Sequence, residues 1–600
     1  MGDKKASVEY HGNPIVNLFR EEWRNLGRLR GRFLIYMGLF TISGVVALMT
    51  PLVIGLIFNS IQDEITSDAE MRHLLFLISL ILVIKVVFWI FHGIGRVMEQ
   101  KTAFFVHRNY TNAKIAKVLE LPVKWHKDHH SGDTIDKINK GRSAVRNFSD
   151  HYTFDLVYSV LRLVVSVIIL FFFDVTIAVS AFLFSSLILI FAVKVDKHLQ
   201  GKYREINRLE NKASASIFDY LSNIITIITL RMKKTVRKEV DRRTMASWGD
   251  EKKSIYLSEV KWGVASIGIT LMTVVLLGFR AYNDYNISGT IMIGTLYILY
   301  EYLSKMGDTF FNLANTYNGM VRMNARVHNA RPIDNAFEKL KVDVRSKLPE
   351  DWNRIDLRNI NFTYNIGEKK NHIHDVNISF KRGQKIAFVG ESGSGKSTFL
   401  SLMRGLYEPE GGHVYCNGQP LRKGFNDLKH HITLIPQDPE IFNNTIKYNI
   451  TMGIPYKKED IGDAIKWAQF EKVGERLEKG LDTNVLEKGV SLSGGEKQRL
   501  ALARGILAAK KSDIVLLDEP TSSVDSLNEM KIHDSIFREF DDKVIISSIH
   551  RLHLLEKFDY IYLFDKGQII AEGTLSEIRK NTKFNYLWRK YRGEKEKEEE

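Results

Sequence analysis

Long apolar runs in the first half of the chain decide what it can fold into. A helix needs about 20 mostly apolar residues to cross the hydrocarbon of a bilayer, and six stretches ahead of residue 310 approach that length. The first starts at Phe33 ("FLIYMGLFTISGVVALMTPLVIGLIF") and contains Pro51, where a kink is expected. The second starts at Leu74. The third and fourth, from Phe154 and Val175, are separated by Asp174 alone, which leaves room for a tight hairpin and nothing more. The fifth, from Trp262, and the sixth, from Ile287, are diluted with Gly, Ser and Thr, small residues that let helices approach closely.

Charge orients these spans. Segments 97–151 and 194–259 are dense in Lys and Arg, as in "RMKKTVRKEVDRR" at 231–243, whereas 59–73 holds Asp63, Glu64, Asp68 and Glu70. Basic loops stay on the cytoplasmic side, so both long basic segments and both termini are expected there. The net charge of +15 then reads as a topogenic signal and a contact for anionic membrane lipid rather than a nucleic-acid surface. The stretch "NPIVNLFREEWRNLGRLRGRF" reads as an amphipathic helix lying in the interface before the first span. The start of the chain has no secretory-signal pattern, and the lone cysteine, Cys416, excludes a disulfide within one chain. The two basic segments have few Gly or Pro breaks and are expected to run on from the membrane as helices and fold back into a cytoplasmic stalk.

One of them contains "KWHKDHHSGD", in which His126, His129 and His130 fall at i, i+3 and i+4 and would share one face of a helix. With Asp128 and Asp133 they have the ligand types for Zn²⁺ or Ni²⁺. No second ligand cluster is evident in the sequence, which favours a polar helix end and a structural elbow.

From about Ile355 the pattern changes to short strands and caps. Gly390, Glu391, Ser392, Gly393, Ser394, Gly395, Lys396 and Ser397 match G-x-x-x-x-G-K-[ST] between an apolar strand and a helical stretch that Thr398 continues. Glycines let backbone N–H groups curl around phosphates, and a helix N-terminus adds partial positive charge. Lys396 is expected on the β- and γ-phosphates and Ser397 on Mg²⁺. In "DIVLLDEPTSSVD", the apolar run Ile514 to Leu517 predicts a buried parallel strand that delivers Asp518 to Mg²⁺ and Glu519 to the attacking water as general base. Ser493, Gly494 and Gly495 in "SLSGGEKQRLALARGIL" open a second anion-binding helix. One nucleotide does not sit on two such ends of one compact domain, so a site shared between two chains is expected.

Taken in order and at this spacing, these motifs resemble those of ATP-binding-cassette (ABC) exporter half-transporters over nearly the whole chain. The resemblance implies an α-helical six-span membrane domain of the ABC exporter type followed by a C-terminal α/β P-loop nucleotide-binding domain. The divisions are an elbow helix over 1–32, a transmembrane domain over 33–330, a linker over 331–354, a nucleotide-binding domain over 355–590 and a charged tail over 591–600. It further implies ATP and Mg²⁺ as ligands, with Tyr364 stacked on adenine and Gln437 sensing Mg²⁺ beside Ser397 and Asp518. By the same resemblance Asp525 lines a dimer seam, and His550 meets the γ-phosphate and attacking water. Docking helices are expected near Asp136 to Arg146 and near Asp219 to Thr229, the second on the other subunit.

Three departures stand out: Glu496 where Gln is commoner, "SSVD" for the usual "SALD", and "TNVLEKG" ahead of the signature. The charge of Glu496 is expected to weaken nucleotide binding modestly. Glu519, Lys396 and His550 are intact, so both sites of a homodimer are expected to work.

The implied activity is ATP-driven export or flipping of a hydrophobic or amphipathic solute by alternating access of a dimer, most simply of identical copies, in a cell membrane. An ATP-gated regulatory or signalling protein is the alternative. A nucleic-acid ATPase is excluded by the spans, an importer is disfavoured by the fused domains, and a peptide-processing exporter by the lack of a protease domain before the first span. For cargo contact the sequence offers Lys85, Arg162 and Glu301 within spans. Glu301 is expected to neutralise one of the two bases as a buried pair, since a buried charge must find a partner; the alternative is that the bases line a cavity for an anionic amphiphile.

Overall fold

A computed structural model describes residues 13–129, 131–340, 348–364, 372–485 and 492–592. The chain divides into two compact units, one of Met1–Leu121 with Asp128–Leu340 and one of Pro122–Lys127 with Lys341–Glu600.

The first unit is helical: α1 (Pro14–Leu26), α2 (Arg30–Leu48), α3 (Thr50–Gln62), α4 (Asp68–Glu120), α5 (Val123–Asp128, mostly in the second unit), α6 (Ser131–Asn147), α7 (Thr153–Phe173), α8 (Val175–Ser222), α9 (Ile224–Thr229), α10 (Lys233–Met245), α11 (Trp248–Ser288), α12 (Ile293–Asn329) and α13 (Arg331–Lys339). Among the described residues, five stretches are long and apolar enough to cross a membrane: Pro14–Gln62, Asp68–Glu120, Ser131–Phe173, Val175–Ser222 and Lys233–Ile287. The sixth expected stretch lies on α12, whose apolar run is interrupted by Glu301, Lys305 and Asp308. Physically, α12 buries Ile298, Leu299, Tyr302, Leu303 and Met306, and an enclosed helix needs less apolar surface than one facing lipid.

Local chemistry sets the helix ends. The kink expected at Pro51 is a break two residues earlier, between Leu48 and Thr50, because proline lacks an N–H and fits the first turn of α3. Ser67 and Glu70 form a reciprocal capping box on α4, and at 1.5 Å per residue its 53 residues extend about 80 Å, against about 30 Å of hydrocarbon. Asp174 ends α7 and caps α8 by accepting from Ile177 N at 3.1 Å, so the one-residue hairpin is present. Its other oxygen binds Arg280 of α11 at 2.9 Å. Deeper in the unit, buried Lys261 (α11) pairs with buried Asp196 (α8) at 2.9 Å, and Asn318 of α12 donates to the same carboxylate.

At one crossing α3 and α12 nearly touch. A Cβ on Gly55 would lie 2.8 Å from the Gly294 carbonyl oxygen, and a Cβ on Gly294 would fall onto the Gly55 carbonyl and 2.7 Å from Asn59 Cγ. The Gln62 amide then clasps the start of α12, donating to Ile291 O and accepting from Ile293 N, each at 2.8 Å.

The ionisable residues within spans correct one expectation. Glu301 pairs with Lys305 on its own helix at 2.7 Å, not with Lys85 or Arg162. Lys85 lies over the Phe88 ring at 5.4 Å and Arg162 over the Tyr158 ring at 4.8 Å, and among the described residues neither has a carboxylate partner. An i,i+4 pair forms within one helix without any tertiary alignment, which is why the nearer lysine wins.

The histidine face is also reorganised. The helix carrying His126 ends at Asp128 and a new one starts at Ser131, so no single helix carries the cluster; His130 lies outside the described residues. No group of His, Cys, Asp and Glu able to hold a metal occurs among the described residues.

In the second unit an antiparallel sheet, ordered β2-β1-β4-β5, stands beside a six-stranded sheet ordered β10-β9-β3-β8-β7-β6. The strands are β1 (Arg354–Phe362), β2 (Ile373–Lys381), β3 (Lys385–Val389), β4 (Gly411–Cys416), β5 (Gln419–Pro420), β6 (Ile432–Ile435), β7 (Ile514–Asp518), β8 (Val544–Ser548), β9 (Tyr560–Asp565) and β10 (Gln568–Gly573). From β9 to β6 the pairing is parallel, and β3 and β8 are buried along their whole length, as expected for strands covered on both faces. Phe388, Phe399 and Phe564 meet in their shared core.

Pro122–Lys127 groups with this unit. Lys127 Nζ stands 5.5 Å from the Tyr364 ring and 5.3 Å from that of Tyr407, and Lys124 reaches the Tyr364 carbonyl at 3.5 Å. Asp136 to Arg146, where a docking helix was expected, does not group with this unit. That stretch belongs to α6, where Gly141, Ala144 and Val145 are buried in the helical unit. Its small and apolar residues match a packed helix better than an end exposed for docking.

Candidate nucleotide site

Parallel strands place loops at their carboxyl ends, where ligands of open α/β sheets bind. Residues 390–395 follow β3 and lead into the helix Lys396–Met403. Gly395 sits at φ +109°, and a Cβ there would press on Ile373 Cδ1 at 3.0 Å, so this turn requires glycine. Glu391, Ser392 and Gly393 form the exposed tip of the loop, while Ser394 is buried beneath it. Lys396 Nζ donates to the carbonyls of Gly390 at 2.8 Å and Glu391 at 3.2 Å. Burial pulls its ammonium below the ordinary lysine range, with the Glu519 and Asp518 carboxylates pulling the other way.

The end of β7 closes on this loop. Ser397 Oγ donates to Asp518 Oδ1 at 2.8 Å, and Ser548, paired with Asp518 across β7 and β8, donates to the same oxygen at 2.8 Å. Glu519 has φ +46°, the left-handed region that a residue with a Cβ adopts at a cost. Its N–H donates to Ser548 Oγ at 3.0 Å, and its Oε2 accepts from Gln437 Nε2 at 3.0 Å. The carboxylate is thus turned out of the strand and aimed beside Asp518. His550 lines a cavity of about 220 Å³ together with Glu519. Tyr364 OH is 3.2 Å from Thr398 Oγ1, which ties the expected adenine platform to the helix after the loop.

Ser493 caps the helix Gly494–Ala509 in a capping box with Glu496. A Cβ on Gly495 would meet the Ser523 carbonyl at 2.8 Å. Among the described residues this helix end shares no hydrogen bond with 390–398. Asp525 caps the next helix, Ser526–Glu539, accepting from Asn528 N at 3.0 Å and Nδ2 at 2.7 Å, bonds that hold its carboxyl below the usual range.

Glu496 differs from the sequence expectation. It accepts from Ser493 N at 2.8 Å and binds Arg476 at 2.8 Å. Burial raises its pKa, but the Ser493 N–H and Arg476 outweigh that and hold it below the usual carboxylate range. Its charge is compensated locally rather than presented to a nucleotide. The "TNVLEKG" stretch lies partly outside the described residues.

Three residues of this cluster carry no motif signal of their own: Ser548, Gln498 and Arg551. Gln498 donates to Ser522 Oγ at 2.7 Å and to Gln437 O at 3.4 Å, and accepts from Ser523 N at 2.8 Å. Only the position of Ser548, at the end of an apolar strand two residues before His550, hinted at its place.

The comparisons agree with this geometry. The family model "ABC transporter transmembrane region" matches residues 33–294, and "ABC transporter" matches 373–522. ATP-binding cassette sub-family B member 6 of Mus musculus is 28% identical over 486 residues, covering 78% of this chain and 56% of the relative. Heavy metal tolerance factor 1 of Caenorhabditis elegans is 28% identical over 469 residues, covering 76% and 57%. The chain thus spans just over half the length of these relatives. A solved structure described as a bacterial Atm1-family ABC exporter with ATP bound superposes with a TM-score of 0.81 at 22% identity, covering 94% of this chain and 99% of that one; at this identity it speaks for the fold alone. With a helical transmembrane region ahead of a P-loop sheet unit, and with both matching their family models, the chain belongs to the ABC transporters.

Proposed function

We propose that two copies of this chain use ATP and Mg²⁺ to move a hydrophobic or amphipathic solute across a cell membrane by alternating access. The observation that carries the reading is the convergence of Ser397, Asp518, Glu519 and Gln437 within hydrogen-bond distance beyond the ends of β3, β6 and β7. The Ser397 hydroxyl against the Asp518 carboxylate, 2.8 Å apart, is a hard oxygen pair suited to Mg²⁺. Mg²⁺ supplies charge neutralisation on the phosphates. Lys396 and the 390–395 amides hold the phosphates, Tyr364 stacks the adenine, Glu519 takes the proton of the attacking water, and Gln437 and His550 orient it. Ser493 to Gly495 and Asp525 act on the nucleotide of the other copy, in keeping with the separate bonding of the two helix ends.

In this reading α12 completes six spans. The sheet unit and both termini are cytoplasmic, and α9, with Ile225 and Ile228 exposed, docks on the second copy. The domain divisions are those set by composition: elbow, spans, linker, cassette and tail. Lys85 and Arg162, lacking carboxylate partners among the described residues, favour an anionic amphiphile as cargo.

Two measurements test the reading. Tyr364→Ala is expected to weaken ATP binding about tenfold or more in a fluorescence titration, since one stacked base contributes about 1–3 kcal/mol. Tyr364→Phe, keeping the ring, stays close to the unmodified protein. In lipid nanodiscs, ATPase activity is expected to rise with anionic lipids or anionic metal complexes more than with cationic drugs or neutral peptides, and Arg162→Gln to blunt the rise. A flat response across all classes would favour the ATP-gated regulatory alternative.

A further inference from the structure

His550 is followed by a residue that reaches the far side of the site. Arg551 Nη1 donates to the Val524 carbonyl at 3.0 Å and to Glu529 Oε2 at 2.9 Å, and Nη2 reaches the Ser522 carbonyl at 3.4 Å. One guanidinium therefore spans from the histidine loop to two carbonyls of the 519–525 turn. Glu529, on Ser526–Glu539, is 3% exposed, and its other oxygen accepts from Thr521 Oγ1 at 2.8 Å. Both of its oxygens are engaged on groups that frame the 220 Å³ cavity under Glu519 and His550.

The chemistry of this arrangement is specific. Two backbone carbonyls are weak partners for a guanidinium, and it is the buried carboxylate that fixes its position and compensates its charge. A planar fork held at two points on the turn and one on the helix after it also fixes the backbone of the residue before it, which is His550. The same turn carries Glu519 at one end and Asp525 at the other, and it reaches the Ser493–Gly495 helix through Gln498, bonded to Ser522 and Ser523. Arg551 is thus the bonded link between this turn and the histidine loop.

We propose that Glu529 and Arg551 are positioning residues that lock His550 and the 519–525 turn into one rigid arrangement, so that turnover depends on the seating of that turn. The inference rests on the ATPase reading above.

The test uses the full chain in nanodiscs. Glu529→Gln keeps size and the Thr521 contact but removes the charge, and Arg551→Gln removes the fork. Each is expected to lower kcat about ten- to a hundredfold, the cost of a small misplacement of reacting groups, with KM for ATP within about twofold; breaking the buried pair also lowers the melting temperature, so turnover is compared well below each variant's own melting point. The double variant is expected to be no worse than the poorer single one, because the two act as a unit. Glu529→Asp, which keeps the charge, recovers part of the loss. A kcat in Glu529→Gln equal to that of the unmodified protein overturns the inference, as do losses that multiply in the double variant or that follow the melting temperature. Turnover that dies in Glu519→Gln but survives in Glu529→Gln overturns this inference alone. Absence of turnover in the unmodified protein overturns the ATPase reading and this inference with it.

Discussion

Glu519→Gln is expected to bind ATP and fail to turn it over. The amide is nearly the same size and still accepts from Gln437, so the 3.0 Å contact and the φ of +46° survive. What it loses is the ability to take a proton, and general-base catalysis contributes about 10²- to 10⁴-fold. Lys396, Ser397 and Asp518 are untouched, so affinity for Mg²⁺ and ATP stays near that of the unmodified protein. Blocked hydrolysis with retained binding also predicts a long-lived closed dimer, visible as an ATP-dependent crosslink between copies at the signature helix. Phosphate release at an ordinary rate by the purified variant would remove Glu519 from the base role.

The second large effect is expected far from any nucleotide. Gly294→Val places branched carbons where the Gly55 carbonyl and Asn59 already stand, and the obstacle on one side is backbone, which cannot swing away. Overpacking a tight contact ordinarily costs about 1–3 kcal/mol; here both helices must separate, and the loss is expected at about 3 kcal/mol or above. Gly278→Ala is the control, since nothing lies within 4 Å of a Cβ at that position. Thermal unfolding in detergent should fall by many degrees for the first and not move for the second. Equal melting of both would mean that α3 and α12 do not cross at these glycines.

The parts legible in the sequence were those in which local chemistry settles geometry. A glycine loop between a buried strand and a helix, or an apolar strand ending in Asp-Glu, carries its backbone with it, and Ser397 and Asp518 meet as the motifs implied. Asp174 was legible because one residue between two apolar runs leaves only a hairpin. What could not be read depended on which distant residue arrives. Ser548 joins Asp518 through strand register, and Arg551 finds Glu529 across a turn and a helix. Asp136 to Arg146 was expected to dock, but it is the earlier stretch Pro122–Lys127 that groups with the sheet unit, because a helical pattern does not say which of its turns is exposed. Glu301 was assigned to a distant base when a lysine one turn away was available. For Glu496, charge was visible but its compensation by Arg476 was not.

The Gln62 clasp joins residues separated by 229 and 231 positions. A ribosome adding about 5–20 residues per second needs on the order of ten to fifty seconds to supply the second half of that clasp. Through that interval the face of α3 around Gly55 lacks its α12 neighbour, and insertion proceeds with the clasp open. Biogenesis of the membrane half therefore finishes on its last helix, and a nascent chain stalled before residue 291 should be the form that quality-control proteases cut first.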